Sequence, residues 1–449
     1  MQAQPDWKAV KTQALGFLKD LIRINTTNPP GGEKAAADYI AGILKKEDIP
    51  FTLLESAPGR GNVVARLRGS GKKPPLLLNA HLDVVAAEPE HWTYDPFGAV
   101  EEGGYVWGRG ALDMKNMAAM SLSCLLLLKR QAVALERDVI FAGVADEEAG
   151  SEYGALFLVN EHPELVRAEY VLNEVGGYTM HIGDSRLYPI QIAEKGICWF
   201  EITAHGEPGH GSMPHPKNAV NRLARAVADL SRTRLPQHNT PVVENFIKTL
   251  AKSASFPQSA VLPLLLQSAV GPKLLDFLEQ KATDQAISLN AMLRNTVSPT
   301  ILKAGTKVNV IPSKASVQVD GRMIPGQNTE TFLEEIRRVI GEDLEIKILT
   351  QHEGTVFDTD TDLYRAIERA IRGNDPEGRP VPYMIPGFTD SFAYGRLGSA
   401  CYGFVPMQLP KDLNFSRLFH GHDERIPVEG FAWGVQVLYE LVSSFCSGH

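Results

Sequence analysis

Cysteine is scarce in this chain and never clustered. Four residues in 449 (Cys124, Cys198, Cys401 and Cys446) lie far apart and form no CxxC pair. That excludes a disulfide scaffold and a cysteine zinc knuckle, and points to buried thiols in a reducing, cytoplasmic setting. Positive charge is also short. Lys and Arg number 45 against 53 Asp and Glu, a net charge of −8, so the basic excess expected of a phosphate-backbone binder is missing. No apolar run reaches the roughly 18 residues of a membrane span. The opening Met1-Gln-Ala-Gln-Pro-Asp-Trp7 has no basic stretch ahead of an apolar one, so no secretory leader is expected. Neither nucleic acid nor membrane is an expected partner. Internal repeats, an HExxH helix and a GxSxG elbow are missing too. Gly69-Ser-Gly-Lys-Lys lacks the upstream glycine and the closing Ser or Thr of a phosphate loop, and reads as an exposed turn.

What is present is ordinary globular material, 44 % hydrophobic and 22 % charged, in a chain too long for one hydrophobic core. A helix is predicted over 6–24, ending in the breaker cluster Asn25-Thr-Thr-Asn-Pro-Pro-Gly-Gly, and another over 33–46. Apolar strand-like runs at 62–67, 75–82, 104–107, 138–144 and 170–172 alternate with helices at 116–130 and 153–160. That alternation predicts an α/β unit with a largely parallel sheet. After Glu194 the order becomes strand 197–204, helix 218–230, strands 300–304 and 315–323, helix 329–340, strand 344–349. This is a split βαβ arrangement. An apolar, helix-prone insertion at about 236–296 (Val261-Leu-Pro-Leu-Leu-Leu) is surplus to that plan. From about 353 the α/β pattern resumes and closes with a helix at 430–445. The expected domains are therefore 1–194 and 353–449 together, with 195–352 inserted.

Four strand-like runs end in acid or imidazole. Leu76-Leu-Leu-Asn-Ala-His81-Leu-Asp83 sets His81 and Asp83 on one face of an extended segment. Gly108-Arg-Gly-Ala-Leu-Asp113 places a carboxylate in a glycine-rich turn before a helix. The run 140–146 leads to Glu147-Glu148, and Val171-Leu-Asn leads to Glu174. In open α/β sheets ligand sites gather at the carboxyl ends of strands, so these groups are expected to converge. Two carboxylates about 4 Å apart repel by about 4 kcal/mol at an effective dielectric near 20. Divalent cations would reverse that sign, and imidazole with carboxylate but no thiolate suits zinc, with manganese or cobalt tolerated.

The pieces His81-Leu-Asp83, Gly108-Arg-Gly-Ala-Leu-Asp113-Met-Lys, Glu147-Glu148, Glu174, Pro208-Gly-His210-Gly-Ser and Phe419-His420-Gly-His-Asp-Glu424 together resemble a known family. These are the co-catalytic di-zinc amidohydrolases and peptidases: aminoacylase, carboxypeptidase S, glutamate carboxypeptidase, acetylornithine deacetylase and succinyl-diaminopimelate desuccinylase. The resemblance covers nearly the whole chain, least around 236–293. Trp92-Thr-Tyr-Asp-Pro-Phe-Gly98 looks most like the aminoacylase and carboxypeptidase S branches. It implies a zinc-peptidase-like three-layer catalytic domain with an inserted ferredoxin-like lid and dimerisation domain, hence a homodimer. It also implies two Zn²⁺, for which Co²⁺ or Mn²⁺ can substitute. Asp113 would bridge the ions, with His81 and Glu174 on one and Glu148 and His420 on the other. His422 is the rival to His420, which stands three residues before the Asp-Glu pair as the family's ligand does. Asp83 would clamp the imidazole of His81, and Glu147 would act as general base.

From the inserted domain, the resemblance assigns His210 to the scissile carbonyl, Asn309 and Arg322 to the substrate carboxylate, and Gly387 to a loop lining the pocket. Phe388 and Phe392 are apolar pocket candidates. The implied function is amide hydrolysis of N-acyl L-amino acids or C-terminal peptides, releasing a free amino acid. The alternatives are a di- or tripeptidase that needs a free substrate amine and, from another class, a non-catalytic scaffold.

Overall fold

The apolar runs that end at His81 and Val144 become neighbouring strands in the computed structural model of the protein, which describes residues 5–280, 284–413 and 415–447. Leu76–His81 pairs in parallel with Val139–Val144 on one side and Tyr170–Asn173 on the other, and Ala400–Gly403 extends the parallel set. Every residue of Leu76–His81 and of Val139–Val144 is buried, as unbroken apolar strands require when both sheet faces are covered. The flanks differ from the largely parallel sheet predicted. Arg60–Leu67 runs antiparallel to Val139–Val144, Phe51–Ala57 antiparallel to Arg60–Leu67, and Ser185–Glu194 antiparallel to Ala400–Gly403. The physical reason at the first edge is local. Phe51–Ala57 and Arg60–Leu67 are joined by a two-residue hairpin with Gly59 at φ +81°, and hairpins make antiparallel neighbours.

Helix Lys115–Arg130 is buried along all but its last two residues. It packs on Leu76–His81 and against helices Trp7–Arg23 and Val428–Ser447, so it is buried on every face rather than along one stripe. Trp7–Arg23 is capped by the Asp6 carboxylate, which accepts from the backbone N–H of Ala9, and buries Val10, Ala14, Leu18 and Leu21 on one face. All four cysteines are free and buried. Among the described residues no helix is long and apolar enough to cross a membrane.

The chain divides into two compact units. The first comprises residues to Ile192, Phe357–Tyr383 and the chain from Thr389; the second comprises Ala193–Val356 and Met384–Phe388. The second unit is built on a four-stranded antiparallel sheet in the order Thr296–Ala304, Lys314–Met323, Gly196–His205, Glu345–His352. Helices Ala219–Arg232 and Thr329–Ile340 lie against each other, and their residues Leu223, Phe332 and Ile336 share a core with Phe200, Ile202 and Val317 of the sheet. Strand order and helix placement are those of the ferredoxin-like split βαβ. The surplus segment folds into helices including Pro241–Ser253, Gly271–Glu279 and Asp284–Leu293; its residues 281–283 lie outside the described ones. Lys195 ties the end of this insertion to the sheet. Its buried ammonium donates to the carbonyls of Ala291 (3.0 Å) and Arg294 (2.8 Å) and to Thr296 Oγ1 (3.0 Å).

Candidate metal centre

Parallel pairing carries three acid-bearing strand ends to one edge of the first unit. Leu76–His81 ends in His81, Val139–Val144 runs on to Glu147-Glu148, and Tyr170–Asn173 to Glu174. The turn that presents the glutamates depends on Asp146, a non-glycine residue in the left-handed region (φ 68°), which reverses the chain after the strand. Asp113 arrives from a separate turn. There Gly110 has φ +87°, and a Cβ on it would stand 2.9 Å from both Lys115 and Val84 side chains, so only glycine fits.

The resulting geometry is two triplets sharing one carboxylate. His81 Nε2 lies 3.0 Å from Asp113 Oδ1 and 3.6 Å from Glu174 Oε2. His420 Nε2 lies 3.1 Å from the other oxygen, Asp113 Oδ2, and 3.0 Å from Glu148 Oε2. Within each triplet the candidate ligand atoms all fall within 4.8 Å of one another. His422 is elsewhere, its Nε2 3.0 Å from Glu88 and its ring stacked on His91. Asp83 lies against the His81 ring. Its backbone carbonyl stands 3.0 Å from His81 Nδ1 and its carboxylate Oδ1 3.5 Å from the same nitrogen. The carboxylate also accepts from the backbone N–H groups of Glu147 (3.2 Å) and Glu148 (3.1 Å), so one residue contacts the imidazole and holds the paired glutamates.

Electrostatics show what the cluster wants. Burial, with the nearby Glu174 carboxylate, raises the Glu147 carboxyl well above its usual range. Burial raises Glu148 as well, reinforced by Asp113, and pushes Glu174 up to about 7. Burial alone would lower His420, but hydrogen bonds to Asp113 and Glu148 prevail and raise it to about 10. His81 is raised in the same way, against burial, by Asp113, Asp83 and Glu174. The imidazoles thus stand in as cations among too many carboxylates. Buried Oε1 atoms of Glu148 and Glu174 have no hydrogen-bond partner, which leaves a lone pair open in each triplet. Donor chemistry, spacing and orphaned oxygens all fit a pair of divalent cations. Because binding requires neutral imidazoles and ionised carboxylates, metal uptake at pH 7 should expel at least two protons, one from each histidine and a further part from the Glu174 carboxyl. Calorimetry in buffers of different ionisation enthalpy reads that number; uptake without proton release would remove the histidines from the ligand set.

The remaining expected residues belong to the second unit. His210 sits on the two-residue strand Gly209–His210, paired antiparallel with the distant Val310–Ile311, and Asn309 accepts from Gly211 N–H through its backbone carbonyl at 2.9 Å. His210 Nδ1 lies 3.2 Å from the Ser212 backbone N–H and accepts from it, which places the proton of the neutral ring on Nε2. Arg322 is already engaged. Nε and Nη2 donate to Asp320 at 2.8 and 3.0 Å, and the guanidinium lies 5.2 Å from the Phe388 ring centroid. Gly387 has no steric need to be glycine, since a Cβ there would meet only Ile385 at 4.0 Å. Neither Phe388 nor Phe392 lines the apolar cleft beside the metal centre; Phe392 is buried and carries the Arg396 guanidinium at 5.5 Å.

Three supporting residues escaped the sequence reading. Glu424 is fully buried, and its two oxygens accept from the N–H groups of Gly110, Leu112 and Asp113 and from Arg109 Nη1, holding the turn that carries Asp113. Its place at the end of the His420 motif was the available signal. Asn28 Nδ2 donates to Asp83 (2.8 Å) and Asp146 (3.1 Å), and the buried Arg60 pairs with Asp146 and Glu33. No local pattern marks these two.

The fold and the shared-carboxylate cluster define a metal-dependent amide hydrolase. The chain belongs to peptidase family M20/M25/M40, whose profile matches residues 77–444. It is 31 % identical to the N-fatty-acyl-amino acid synthase/hydrolase PM20D1 of Xenopus tropicalis, over 97 % of this chain and 86 % of that protein. It is 26 % identical to aminoacylase-1 of Sus scrofa, over 96 % and 95 % of the two chains. Among solved structures, an M20 family metallo-carboxypeptidase, Sso-CP2 from Sulfolobus solfataricus, shares the fold with a TM-score of 0.73 at 17 % identity. It covers 96 % of this chain and 99 % of that one.

Proposed function

We propose that this enzyme hydrolyses N-acyl L-amino acids, releasing the free amino acid, with Zn²⁺ as the metal at both positions and Glu147 as the general base. The observation that carries the reading is the Asp113 carboxylate shared between two imidazole-bearing triplets, with a buried glutamate left over. A bound metal pair supplies Lewis acidity that polarises a carbonyl and acidifies water. Glu147 belongs to neither triplet. Its carboxylate is free to take a proton from the attacking water and pass it to the leaving amine nitrogen. Asp83 fixes where that carboxylate stands by holding its backbone N–H. From the second unit, His210 Nε2–H is the donor assigned to the developing oxyanion. Asn309 and the Arg322 Nη1 edge not engaged by Asp320 are assigned to the substrate carboxylate, with Gly387 in the adjoining loop. The relatives named for acyl amino acids favour this substrate class over C-terminal peptides and over the di- or tripeptidase alternative.

The test is amino-acid release from a panel of N-acyl amino acids, their carboxamides, blocked peptides and unblocked dipeptides, with Zn²⁺ and with chelator. Chelator-sensitive cleavage of the N-acyl amino acids is expected, and Arg322→Ala should raise their KM while hardly moving that of the carboxamides. Preference for unblocked dipeptides would replace the deacylase reading with the peptidase one. Homodimerisation through the second unit belongs to the same proposal. It is supported by the exposed edge strand Thr296–Ala304, which shows Ile301 and Leu302 to solvent. Sedimentation as a monomer at assay concentration would remove it.

A further inference from the structure

Asp390 is the hub of a buried polar network that none of the roles above uses. Its members, Asn79, Ser151, Asn173, Asp390, Ser391 and Tyr394, all belong to the first unit and are all fully buried. Ser151 Oγ donates to Asp390 Oδ1 at 2.7 Å, and Asn79 Nδ2 donates to Asp390 Oδ2 at 3.0 Å. The same amide nitrogen gives its other proton to Asn173 Oδ1 at 3.0 Å. Tyr394 Oη donates to Asn79 Oδ1 (2.7 Å) and Asn173 Nδ2 to Ser391 Oγ (3.1 Å), which closes the network. Three of these residues adjoin the metal positions in sequence. Asn79 stands two before His81, Asn173 immediately before Glu174 on the neighbouring parallel strand, and Ser151 three after Glu148. An aspartate at the start of a helix ordinarily caps it. Asp390 precedes Ser391–Gly395 yet makes no side-chain cap bond, its carboxylate being spent on Ser151 and Asn79.

That carboxylate has no cation of its own. Both donors are neutral, and among the described residues no Lys, Arg or His forms an ion pair with it. Burying a charge in this way is costly. In the metal-free protein burial pushes Asp390 up to about 6, against the hydrogen bonds from Ser151 and Asn79 and the positive charge of His81. The cationic influence on it therefore comes from the metal centre. Once His81 is a metal ligand it is neutral, and the divalent ions carry the positive charge in its place. Asp390 acts on the same site in return, since its charge helps to raise the Glu147 and Glu174 carboxyls while metal is absent.

We propose that Asp390 is a positioning residue of the metal centre: ionised, it ties together the segments that carry His81, Glu148 and Glu174, and its charge strengthens cation binding while weakening the metal-free fold. The inference rests on the metal pair and not on the choice of substrate. A neutral residue could tie these segments together as well, so it is the charge that needs a reason, and a bound cation pair supplies one.

The experiment compares Asp390→Asn with the parent, both as the full chain. The asparagine oxygen still accepts from Asn79 and its NH₂ group can donate to Ser151 Oγ, so the hub keeps its hydrogen bonds and loses only its charge. Zn²⁺ affinity, read by competition with a fluorescent chelator, should fall by about 10–100-fold. Metal-free Asp390→Asn should unfold at a higher urea concentration than the metal-free parent at pH 8. The sign follows because a carboxyl raised in the folded state destabilises the fold wherever it is ionised, and the substitution removes it. Ser151→Ala, which deletes one hydrogen bond and leaves the charge, should lower Zn²⁺ affinity less than Asp390→Asn. Opposite signs in affinity and metal-free stability separate this role from a merely structural one, which would lower both. Unchanged Zn²⁺ affinity in Asp390→Asn, a metal-free variant that is no more stable than the parent or fails to fold, or an equal loss of affinity in Ser151→Ala would each overturn the proposal while leaving the metal pair standing. A parent chain that binds no divalent cation would overturn the metal centre itself.

Discussion

Glu147→Gln is expected to lower kcat by about 10³–10⁴-fold while both metals stay bound. The substitution keeps the side chain's shape and removes only its ability to take a proton. Glu147 lies outside both ligand triplets, so metal content by elemental analysis should be unchanged. Its backbone N–H donates to Asp83 Oδ1 at 3.2 Å, a contact that the amide variant keeps, so the loop should not move. A buried carboxylate beside the metal positions can accept a proton, and the neutral amide has nothing to replace that. A fully metallated Gln variant with near-normal kcat would remove Glu147 from the base role. Loss of metal in the same variant would mean that it is a ligand.

Glu424→Ala is expected to cost about 3–5 kcal/mol of stability, the range seen when one partner of a buried ion pair is deleted. Arg109 pairs with Glu424 at 2.8 Å and is 2 % exposed, so the variant strands its charge in the interior. It also strips the acceptor from the N–H groups of Gly110, Leu112 and Asp113. Those three amides shape the turn that delivers Asp113 to both metal positions. Chemical denaturation measures the stability loss, and metal affinity should fall with it. Glu424→Gln should recover part of both, since an amide oxygen still accepts from the backbone while the ion pair with Arg109 is lost. If Glu424→Ala folds as stably as the parent and binds metal equally well, the Asp113 turn is held by something other than this carboxylate.

Much of the site was legible in sequence because strand ends announce themselves. His81, Glu147, Glu148 and Glu174 each follow an apolar run, and parallel strands must end on the same edge, so their convergence follows from the alternation of strands and helices. Asp113 was legible for a different reason: glycines around an acid before a helix mark a turn with little other use. The helices at 33–46 and 329–340 were equally plain, since their apolar periodicity needs no tertiary partner to be seen. The antiparallel flanks were not, because strand direction at a sheet edge depends on which neighbour is already in place.

What only the tertiary structure decided is pairing at a distance. The choice between His420 and His422 turns on a left-handed residue, φ 59° at His420, that aims one ring at Asp113 and leaves the other on the surface. Asp83 gained a further role because its carbonyl and its carboxylate both face His81, while the carboxylate also holds the backbone of the Glu147 loop. Arg60, Asn28 and Glu424 act across 86, 118 and 315 residues of chain, respectively, in their farthest hydrogen bonds. The apolar cleft beside the metal centre draws its lining from Val175, Tyr178, Val405, Met407, Phe415 and Phe419, which share no local pattern. Chemistry at strand ends is written into residue type and spacing, whereas support and specificity come from side chains that meet only after the chain has closed, where spacing in sequence carries no distance information.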